Sequence, residues 1–215
     1  MIASFDAETG GAGETECTTH ALLSIGAAVD LQDGTRRTFH TYVQPAPGLI
    51  ISPGAVAVNG YSPDLWREKE AVSEREALQR LINWIIRWWV NRGEWAADQK
   101  VALVAHNAGH DRGFLTAALA RCGLLDEWES LVSRRWRCSC ALLGALQDAG
   151  RLSAEHGASL DNLTALRTGT DIETVKARRG IHTADMDAIQ CLDGYHWMLG
   201  LLKSSPPLTQ TQNTP

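Results

Sequence analysis

The sequence predicts an α/β protein with a mixed β-sheet, antiparallel in its first strands and parallel at its centre, flanked by helices. Three early apolar segments follow one another through tight turns, which is typical of antiparallel strands. The later run from Val101 to Ala105 is apolar throughout, as in a strand buried on both faces. Segments with apolar residues at helical spacing alternate with and follow these strands. Together these observations predict one domain over residues 1–203.

The composition is ordinary for a soluble globular protein, with 44% hydrophobic and 21% charged residues in a chain of 215. The net charge of −5 gives no overall basic field to attract nucleic acid, although a metal ion can supply positive charge locally. The five cysteines are odd in number and lack the spacing of a zinc site, so we expect free thiols in a reducing compartment. No signal peptide and no apolar run of ~18 residues is recognisable, so we expect a cytoplasmic protein without a membrane partner.

Local sequence marks each of the three early strands. The first ends in Asp6-Ala7-Glu8 and is followed by glycines that break the structure. The second covers Ala21 to Leu31 and the third Arg37 to Val43, joined by the hairpin signal Asp33-Gly34. Residues 44–63 contain four prolines and predict a loop with one helical turn.

A capping box at Ser73-Glu74-Arg75-Glu76 predicts a helix that reaches about Arg92. Trp84, Trp88 and Trp95 widen its apolar face, and we favour packing against the sheet over stacking on nucleic-acid bases. Residues 204–215 are too polar to pack and predict a disordered C-terminal tail. The remaining helices are predicted at about 111–122, 127–133, 141–149 and 159–169, with a last one from 181–187 to about Leu202.

Four carboxylates are singled out by their positions. Because alternate residues of a strand face the same way, Asp6 and Glu8 project side by side from the end of the first strand. Asp111 follows the most buried strand, and Asp187 lies in the first turns of the last helix, after His182. Strand ends and helix starts are where α/β sheets build sites. Carboxylates that converge there need a cation, and hard divalent ions such as Mg²⁺ prefer oxygen ligands.

Each of these residues also has a purely structural explanation. Asp111 is suited to capping its helix, and Asp187 is suited to a solvated helix face. The neighbouring Asp185 is the equal of Asp187 in chemistry, and His182 is suited to a surface position. Residue chemistry alone therefore leaves the metal site as one alternative among others.

Three motifs stand in order along the chain: Asp6-Ala7-Glu8-Thr9, the run from His106 to Asp111, and the run from His182 to Ala188. They resemble the Asp-x-Glu-Thr, His-Asn-Ala-x-Phe-Asp and His-x-Ala-x-x-Asp-Ala motifs of the DEDDh 3′–5′ exonucleases, the DnaQ-like group within the RNase H-like fold. The third spacing selects Asp187 over Asp185. The likeness extends to about residue 202 and implies an RNase H-like mixed sheet and a metal-dependent exonuclease.

The resemblance implies a role for each motif residue. Asp6, Glu8 and Asp187 would hold a first metal, as one of two Mg²⁺ or Mn²⁺ ions that act in phosphodiester hydrolysis. Asp6 would share the second ion with Asp111. His182 would be the general base that deprotonates the attacking water, and nucleoside 5′-monophosphates would leave single-stranded or frayed 3′ ends. Contacts to the terminal nucleotide would come from Thr9, Gly10, His106 and Asn107, and Arg179 of a basic patch is a candidate phosphate contact.

The nucleic acid that such an enzyme degrades is less clearly indicated. Residues 70–78 resemble the RNase T-like exoribonucleases, whose base-stacking phenylalanines correspond here to Ala12, Val58 and His110. We therefore favour DNA over RNA, with an RNase T-like exoribonuclease as the alternative. A polymerase partner or a homodimer would be compatible with the resemblance. A non-catalytic binding module and a metal-dependent phosphatase are further, less favoured alternatives.

Overall fold

The computed structural model describes residues 2–89 and 99–204 of the chain. Within them, six strands form one sheet with helices on both faces. The strands are β1 (Ile2–Thr9), β2 (Leu22–Asp30), β3 (Arg36–Gln44), β4 (Val72–Ser73), β5 (Ala102–Ala105) and β6 (Arg137–Cys138). The helices are α1 (Pro53–Asn59), α2 (Pro63–Glu68), α3 (Glu74–Trp89), α4 (Ala108–Arg121), α5 (Leu125–Leu131), α6 (Ser139–Asp148), α7 (Leu160–Thr168), α8 (Ile172–Arg179) and α9 (Ala184–Lys203), with a 3₁₀ turn at Glu14–Glu16.

The sheet is mixed, as predicted, with the strand order β4-β3-β2-β1-β5-β6. β1, β2 and β3 are antiparallel neighbours, whereas β5 runs parallel to β1, and β6 runs parallel to β5. β4 runs parallel to β3 at the other edge, and β1 joins the antiparallel strands β2 and β3 to the parallel strands β5 and β6. Because β1 and β5 are parallel, their carboxyl ends meet at the same edge of the sheet, where the first two motifs lie.

The side chains of β1 alternate between two helical layers. Phe5 packs on one face with apolar residues of α3, α4 and α5. Ala28 of β2 and Val104 of β5 pack on the opposite face with α6, α7 and α9. Asp6 and Glu8 alternate with Phe5, so they project towards the layer that contains α9.

The proline-rich segment differs from the predicted loop with one helical turn, because α1 and α2 both begin within it. Ser52 Oγ accepts a hydrogen bond from the Ala55 N–H at 3.2 Å, and Ser62 Oγ accepts one from the Leu65 N–H at 3.1 Å. Each serine is followed by a proline, whose fixed φ and missing N–H suit the first position of a helix. The prolines that suggested a loop therefore start helices.

The helix predicted from the capping box is α3, which begins at Glu74. Ser73 Oγ accepts the N–H of Glu76 at 3.3 Å, while the Glu76 carboxylate pairs with Arg80 at 2.6 Å rather than reaching back to Ser73. Trp84 and Trp88 contact each other edge to face and pack against the core, in agreement with the predicted packing role. The predicted continuation to Arg92 and the predicted position of Trp95 lie outside the described residues.

Two helices differ further from the sequence-based expectation. α4 begins three residues before the predicted Asp111, because Asn107 adopts a left-handed conformation at φ 65° and Ala108 opens the helix. α8 occupies a segment in which only a basic patch was apparent, and Asp171 caps it by accepting the Thr174 N–H at 2.8 Å. Of the predicted tail at 204–215, all but Ser204 lies outside the described residues.

The five cysteines form no disulfide, as expected, and Cys191 is the buried one among them. None of the helices in the described ranges is long and apolar enough to cross a membrane.

Candidate active site

The four predicted carboxylates come together at the carboxyl end of β1. Glu8, Asp111 and Asp187 are buried, with exposed fractions of 8%, 3% and 3%. Asp6 is half-buried. Burial raises the pKa of Asp6 well above its usual range, and the charges of the other three carboxylates raise it further. That coupling requires the four groups to be close in space.

Asp111 is fixed by a hydrogen bond to the strand. It lies in the first turn of α4, and its Oδ1 accepts the backbone N–H of Ala7 at 3.1 Å. Ala7 stands between Asp6 and Glu8, so this bond places the third carboxylate beside the first two. Burial raises the pKa of Asp111, and the hydrogen bond from Ala7 opposes that rise.

Glu8, His182 and Asp187 form a compact group. One ligand atom of each lies within 4.8 Å of the other two. His182 Nδ1 is 3.6 Å from Asp187 Oδ2. Asp185, the alternative by chemistry, instead lies 3.7 Å from Nδ1 of His40 on β3. The structure thus places in this group Asp187, the aspartate that the motif spacing selects over Asp185.

Gly26 allows the amino-terminal end of α9 to approach the sheet. It lies opposite Asp6 in the antiparallel pair of β1 and β2. A Cβ at this position would lie 2.1 Å from the carbonyl carbon and oxygen of Ala184 and 2.3 Å from the amide nitrogen of Asp185. Only a residue without a side chain permits this contact, and the contact carries Asp187 to the end of β1.

The electrostatics of this group fit a divalent cation. Burial, followed by the charge of Asp187, raises the pKa of Glu8 to about 7. Burial also raises the pKa of Asp187, while Arg179 and His182 oppose the rise. Asp187 Oδ1 is buried and has no hydrogen-bond partner among the described residues. Buried, mutually repelling carboxylate oxygens with an unsatisfied lone pair are suited to an oxygen-preferring ion such as Mg²⁺ or Mn²⁺.

Arg179 lies within this group rather than on an open surface. Its Nη1 donates to Asp161 Oδ1 at 2.8 Å, and its Nη2 donates to Asp187 Oδ2. The predicted phosphate contact is therefore paired with two carboxylates in the structure. Its role toward substrate stays a prediction.

His106 is anchored by both ring nitrogens. Nδ1 lies 2.9 Å from Ser139 Oγ, and Nε2 lies 2.9 Å from the carbonyl oxygen of Ala158. Burial lowers the pKa of His106 to about 4, so the ring is neutral near pH 7. The side chain joins the end of β5 to the start of α6 and to the segment before α7. A contact to substrate, as the motif implied, stays a prediction, and the exposed Asn107 beside it is better placed for one.

The backbone groups of Thr9 and Gly10 are used within the protein. The Thr9 carbonyl accepts from Asn59 Nδ2 at 3.2 Å. The Gly10 N–H donates to the Ala21 carbonyl at 2.7 Å, and the Gly10 carbonyl accepts the Ser52 N–H at 2.8 Å. These bonds tie α1 to the end of β1. The predicted nucleotide contacts of both residues stay predictions.

A cleft of about 290 Å³ opens beside Glu8 and Thr9. His110 forms part of its wall, with Nε2 3.1 Å from Thr9 Oγ1 and its ring 4.8 Å from the ring of Phe114. Ala12 and Val58 line the same cleft. The three positions that the resemblance matches to stacking phenylalanines of RNase T-like enzymes therefore line one cleft. They hold alanine, valine and histidine in this chain.

Sequence reasoning missed three residues that build this site. Gly26 and Asn59 act through contacts with α9 and β1, and Asp161 acts through its pairing with Arg179. The available signals were the Asn59-Gly60 pair, which is typical of a turn, and the predicted helix at 159–169, which contains Asp161. Gly26 lies in an apolar strand and gave no signal of its own.

Comparison with known proteins gives relatives in sequence and neighbours in fold. No family model matches the chain. Curated proteins named ribonuclease T match it over 125 residues, at 34% identity for Shewanella sp. (strain W3-18-1) and 38% for Pectobacterium atrosepticum. Each match covers 55% of this chain and 52% of the relative. The chain thus spans about half the length of the curated relatives it matches.

Among solved structures, the chain is similar to E. coli exonuclease I in complex with a dT13 oligonucleotide. The TM-score is 0.64 at 18% identity, and the match covers 94% of this chain and 41% of exonuclease I. Product-bound exonuclease I gives a TM-score of 0.62 over 94% of this chain. At these identities the likeness concerns the fold, and it includes nearly all of this chain.

Proposed function

We propose that the chain is a two-metal-ion 3′–5′ exonuclease. The relatives named ribonuclease T and the fold shared with exonuclease I support its predicted place among the DnaQ-like DEDDh 3′–5′ exonucleases of the RNase H-like fold. The proposed enzyme hydrolyses phosphodiester bonds at single-stranded or frayed 3′ ends and releases nucleoside 5′-monophosphates. The observation that carries this proposal is the compact group of Glu8, His182 and Asp187, with Asp111 hydrogen-bonded to the strand between Asp6 and Glu8.

Asp6, Glu8 and Asp187 are the proposed ligands of one divalent cation, and Asp6 with Asp111 of the other. Bound Mg²⁺ or Mn²⁺ supplies positive charge for the attacking and leaving oxygens of the phosphodiester. The protein contributes a buried site whose carboxylates are held by β1, α4 and α9. The unsatisfied Asp187 Oδ1 and the raised pKa values of all four carboxylates support this assignment.

His182 is the proposed general base. Burial and the nearby charge of Arg179 lower its pKa, so the ring is neutral near pH 7 and has a nitrogen able to accept a proton from water. His182 is half-buried and lies two residues before the first residue of α9. Its Nδ1 lies 3.6 Å from Asp187 Oδ2.

The substrate is proposed to be single-stranded nucleic acid, with DNA favoured over RNA. Exonuclease I, whose fold the chain shares, has been solved with oligonucleotides such as dT13. The cleft beside Glu8 has the size to receive one terminal nucleotide. Ala12 and Val58 offer it no ring for base stacking, so the His110 imidazole is the aromatic side chain among its described lining residues. An RNase T-like exoribonuclease is the second candidate, since the curated relatives named ribonuclease T match at 34–38% identity. Cytoplasmic location and a polymerase partner or homodimer remain part of the proposal.

Digestion of 5′-labelled oligonucleotides tests the proposal. We expect single-stranded DNA, and RNA to a smaller extent, to shorten from the 3′ end with Mg²⁺ or Mn²⁺ and to stay intact in excess EDTA. Asp6→Asn should lower the rate by at least about 100-fold, because it weakens the shared cation ligand. The exposed Asp64→Asn on α2 is the matched control and should cleave normally. Undiminished cleavage in EDTA, or by Asp6→Asn, would overturn the metal mechanism.

A further inference from the structure

Arg179 is a buried cation that is held by two carboxylates of different kinds. Its side chain is 10% exposed and pairs with Asp187 and Asp161. The side chains of these two aspartates, taken without their backbone atoms, are 5% and 16% exposed. Asp187 belongs to the proposed cation site, whereas Asp161 lies on α7 and outside it. The guanidinium of Arg179 therefore bridges the proposed cation site and the carboxylate of Asp161 outside it.

The charge of Arg179 acts on three of the four carboxylates and on His182. It opposes the rise in pKa of Asp6, Glu8 and Asp187, and it lowers the pKa of His182. A guanidinium stays protonated at every pH at which the protein is folded, so this compensation is permanent. It occupies Asp187 Oδ2, an oxygen of a proposed cation ligand.

The pair with Asp187 is incompletely satisfied. Arg179 Nε and Asp187 Oδ1 are both buried, and neither has a hydrogen-bond partner among the described residues. A planar guanidinium and a carboxylate are able to form two parallel hydrogen bonds, but here Nη2 alone binds Asp187 while Nη1 binds Asp161. Arg179 thus binds Asp187 through one hydrogen bond, which a divalent cation would be able to replace. The hydrogen bond to Asp161 would then keep the arginine in place.

We propose that Arg179 is the built-in counter-cation of Asp187, which neutralises this carboxylate until a divalent ion binds and which sets the affinity for that ion. The inference rests on the proposed function, because it takes Asp187 as a cation ligand. If Asp187 coordinated the ion, Asp161 would still hold the guanidinium. The Nη2 group of Arg179 would then be able to donate to a phosphate oxygen of the substrate.

The proposal gives opposite predictions for the two ends of the bridge. Removing Arg179 takes away a competing positive charge, so Arg179→Gln should bind Mg²⁺ about threefold to tenfold more tightly than the wild type. Asp161→Asn leaves Asp187 as the remaining carboxylate partner of the arginine, so it should bind Mg²⁺ more weakly by a similar factor. In the double variant the effect of Asp161→Asn should disappear, because there is no guanidinium left to redirect.

Isothermal titration of the full chain with Mg²⁺ measures these affinities, and thermal unfolding in EDTA gives a second readout. Arg179→Gln should unfold about 3–6 °C below the wild type in EDTA, because Asp187 loses its partner, and saturating Mg²⁺ should narrow that gap. The neighbouring exposed Arg178→Gln is the control for a general loss of positive charge and should change Mg²⁺ affinity by less than about twofold. Unchanged or weaker Mg²⁺ binding by Arg179→Gln, or equal effects of Arg178→Gln and Arg179→Gln, would overturn the proposal.

The outcome is separable from that of the proposed function. If the chain cleaves oligonucleotides with Mg²⁺ while Arg179→Gln binds Mg²⁺ no more tightly, the counter-cation role falls and the exonuclease stands. If no polymer is cleaved while Arg179→Gln binds Mg²⁺ more tightly and Asp161→Asn more weakly, the counter-cation role stands and the exonuclease falls.

Discussion

Glu8 is a carboxylate whose position favours its neutral form in the metal-free protein. Burial and Asp187 raise its pKa from 4.5 to about 7. A raised acid pKa stabilises the fold below the unfolded value and loses that stabilisation as the pH rises through the folded value. Without metal, this group therefore costs stability between about pH 4.5 and pH 7, and the cost persists at higher pH.

Glu8→Gln removes this pH-dependent cost. In EDTA at pH 8 the variant should be more stable than the wild type by about 1–3 kcal/mol, with a smaller difference at pH 5. Its exonuclease rate should fall by at least about 100-fold, because a cation ligand is lost. Urea unfolding at the two pH values measures the stability, with the exposed Glu68→Gln as control. Parallel pH curves for Glu8→Gln and the wild type would show that the burial of Glu8 is energetically unimportant.

The stability that depends on His106 changes with pH in the opposite direction to that of Glu8. Burial lowers its pKa to about 4, so the folded protein binds its proton later than the unfolded chain as the pH falls. The neutral ring stabilises the fold above about pH 6.5, and that stabilisation is lost progressively as the pH falls to about 4.

His106→Asn should therefore destabilise the protein by about 2 kcal/mol at pH 7.5, through loss of the bonds to Ser139 and Ala158, and by clearly less at pH 5. Urea unfolding in EDTA measures both values, and the exposed His156→Asn serves as control. A destabilisation that is equal at the two pH values would contradict a neutral buried imidazole.

At the scale of elements, the approach of α9 to β2 decides whether the third motif reaches the first. Gly26→Ala places a methyl group against the backbone of Ala184 and Asp185, which cannot move aside without moving the helix. We expect a loss of about 2–4 kcal/mol in stability and a weaker affinity for Mg²⁺.

Gly144→Ala on α6 is the matched control for the Gly26 substitution. A Cβ there meets no atom within 4 Å, and alanine favours the helix, so the change should be neutral or stabilising by up to about 1 kcal/mol. Thermal unfolding and Mg²⁺ titration of both variants measure the difference. A Gly26→Ala protein as stable as the Gly144→Ala protein would show that α9 does not depend on this contact.

Elements with a strong pattern were predictable from the sequence. The alternation around Asp6 and Glu8, the apolar run of β5 and the long helix α9 all have local signals, and the structure contains each of them. α1 and α2 were obscured because proline marks both loops and helix starts. Asn107 was not recognised as the start of α4, although asparagine adopts a left-handed backbone more readily than most residues.

At the scale of the whole molecule, the sheet topology brings three distant motifs to one edge. The parallel pairing of β1 with β5 sets Asp111 beside Asp6 and Glu8, and α9 returns across the sheet with Asp187. Motif order was sufficient to predict this convergence, since the family resemblance implied the fold. The bridge from Asp161 through Arg179 to Asp187 was not predictable, because it depends on how α7 and α8 pack rather than on any spacing.

The central claim is that this edge removes nucleotides one at a time from a free 3′ end. The most direct measurement is mass spectrometry of the products from a single-stranded DNA oligonucleotide with Mg²⁺, using one substrate with a free 3′ hydroxyl and one with a blocked 3′ end. We expect nucleoside 5′-monophosphates from the free end and an intact blocked substrate. Internal fragments, nucleoside 3′-monophosphates or equal degradation of the blocked substrate would contradict the claim.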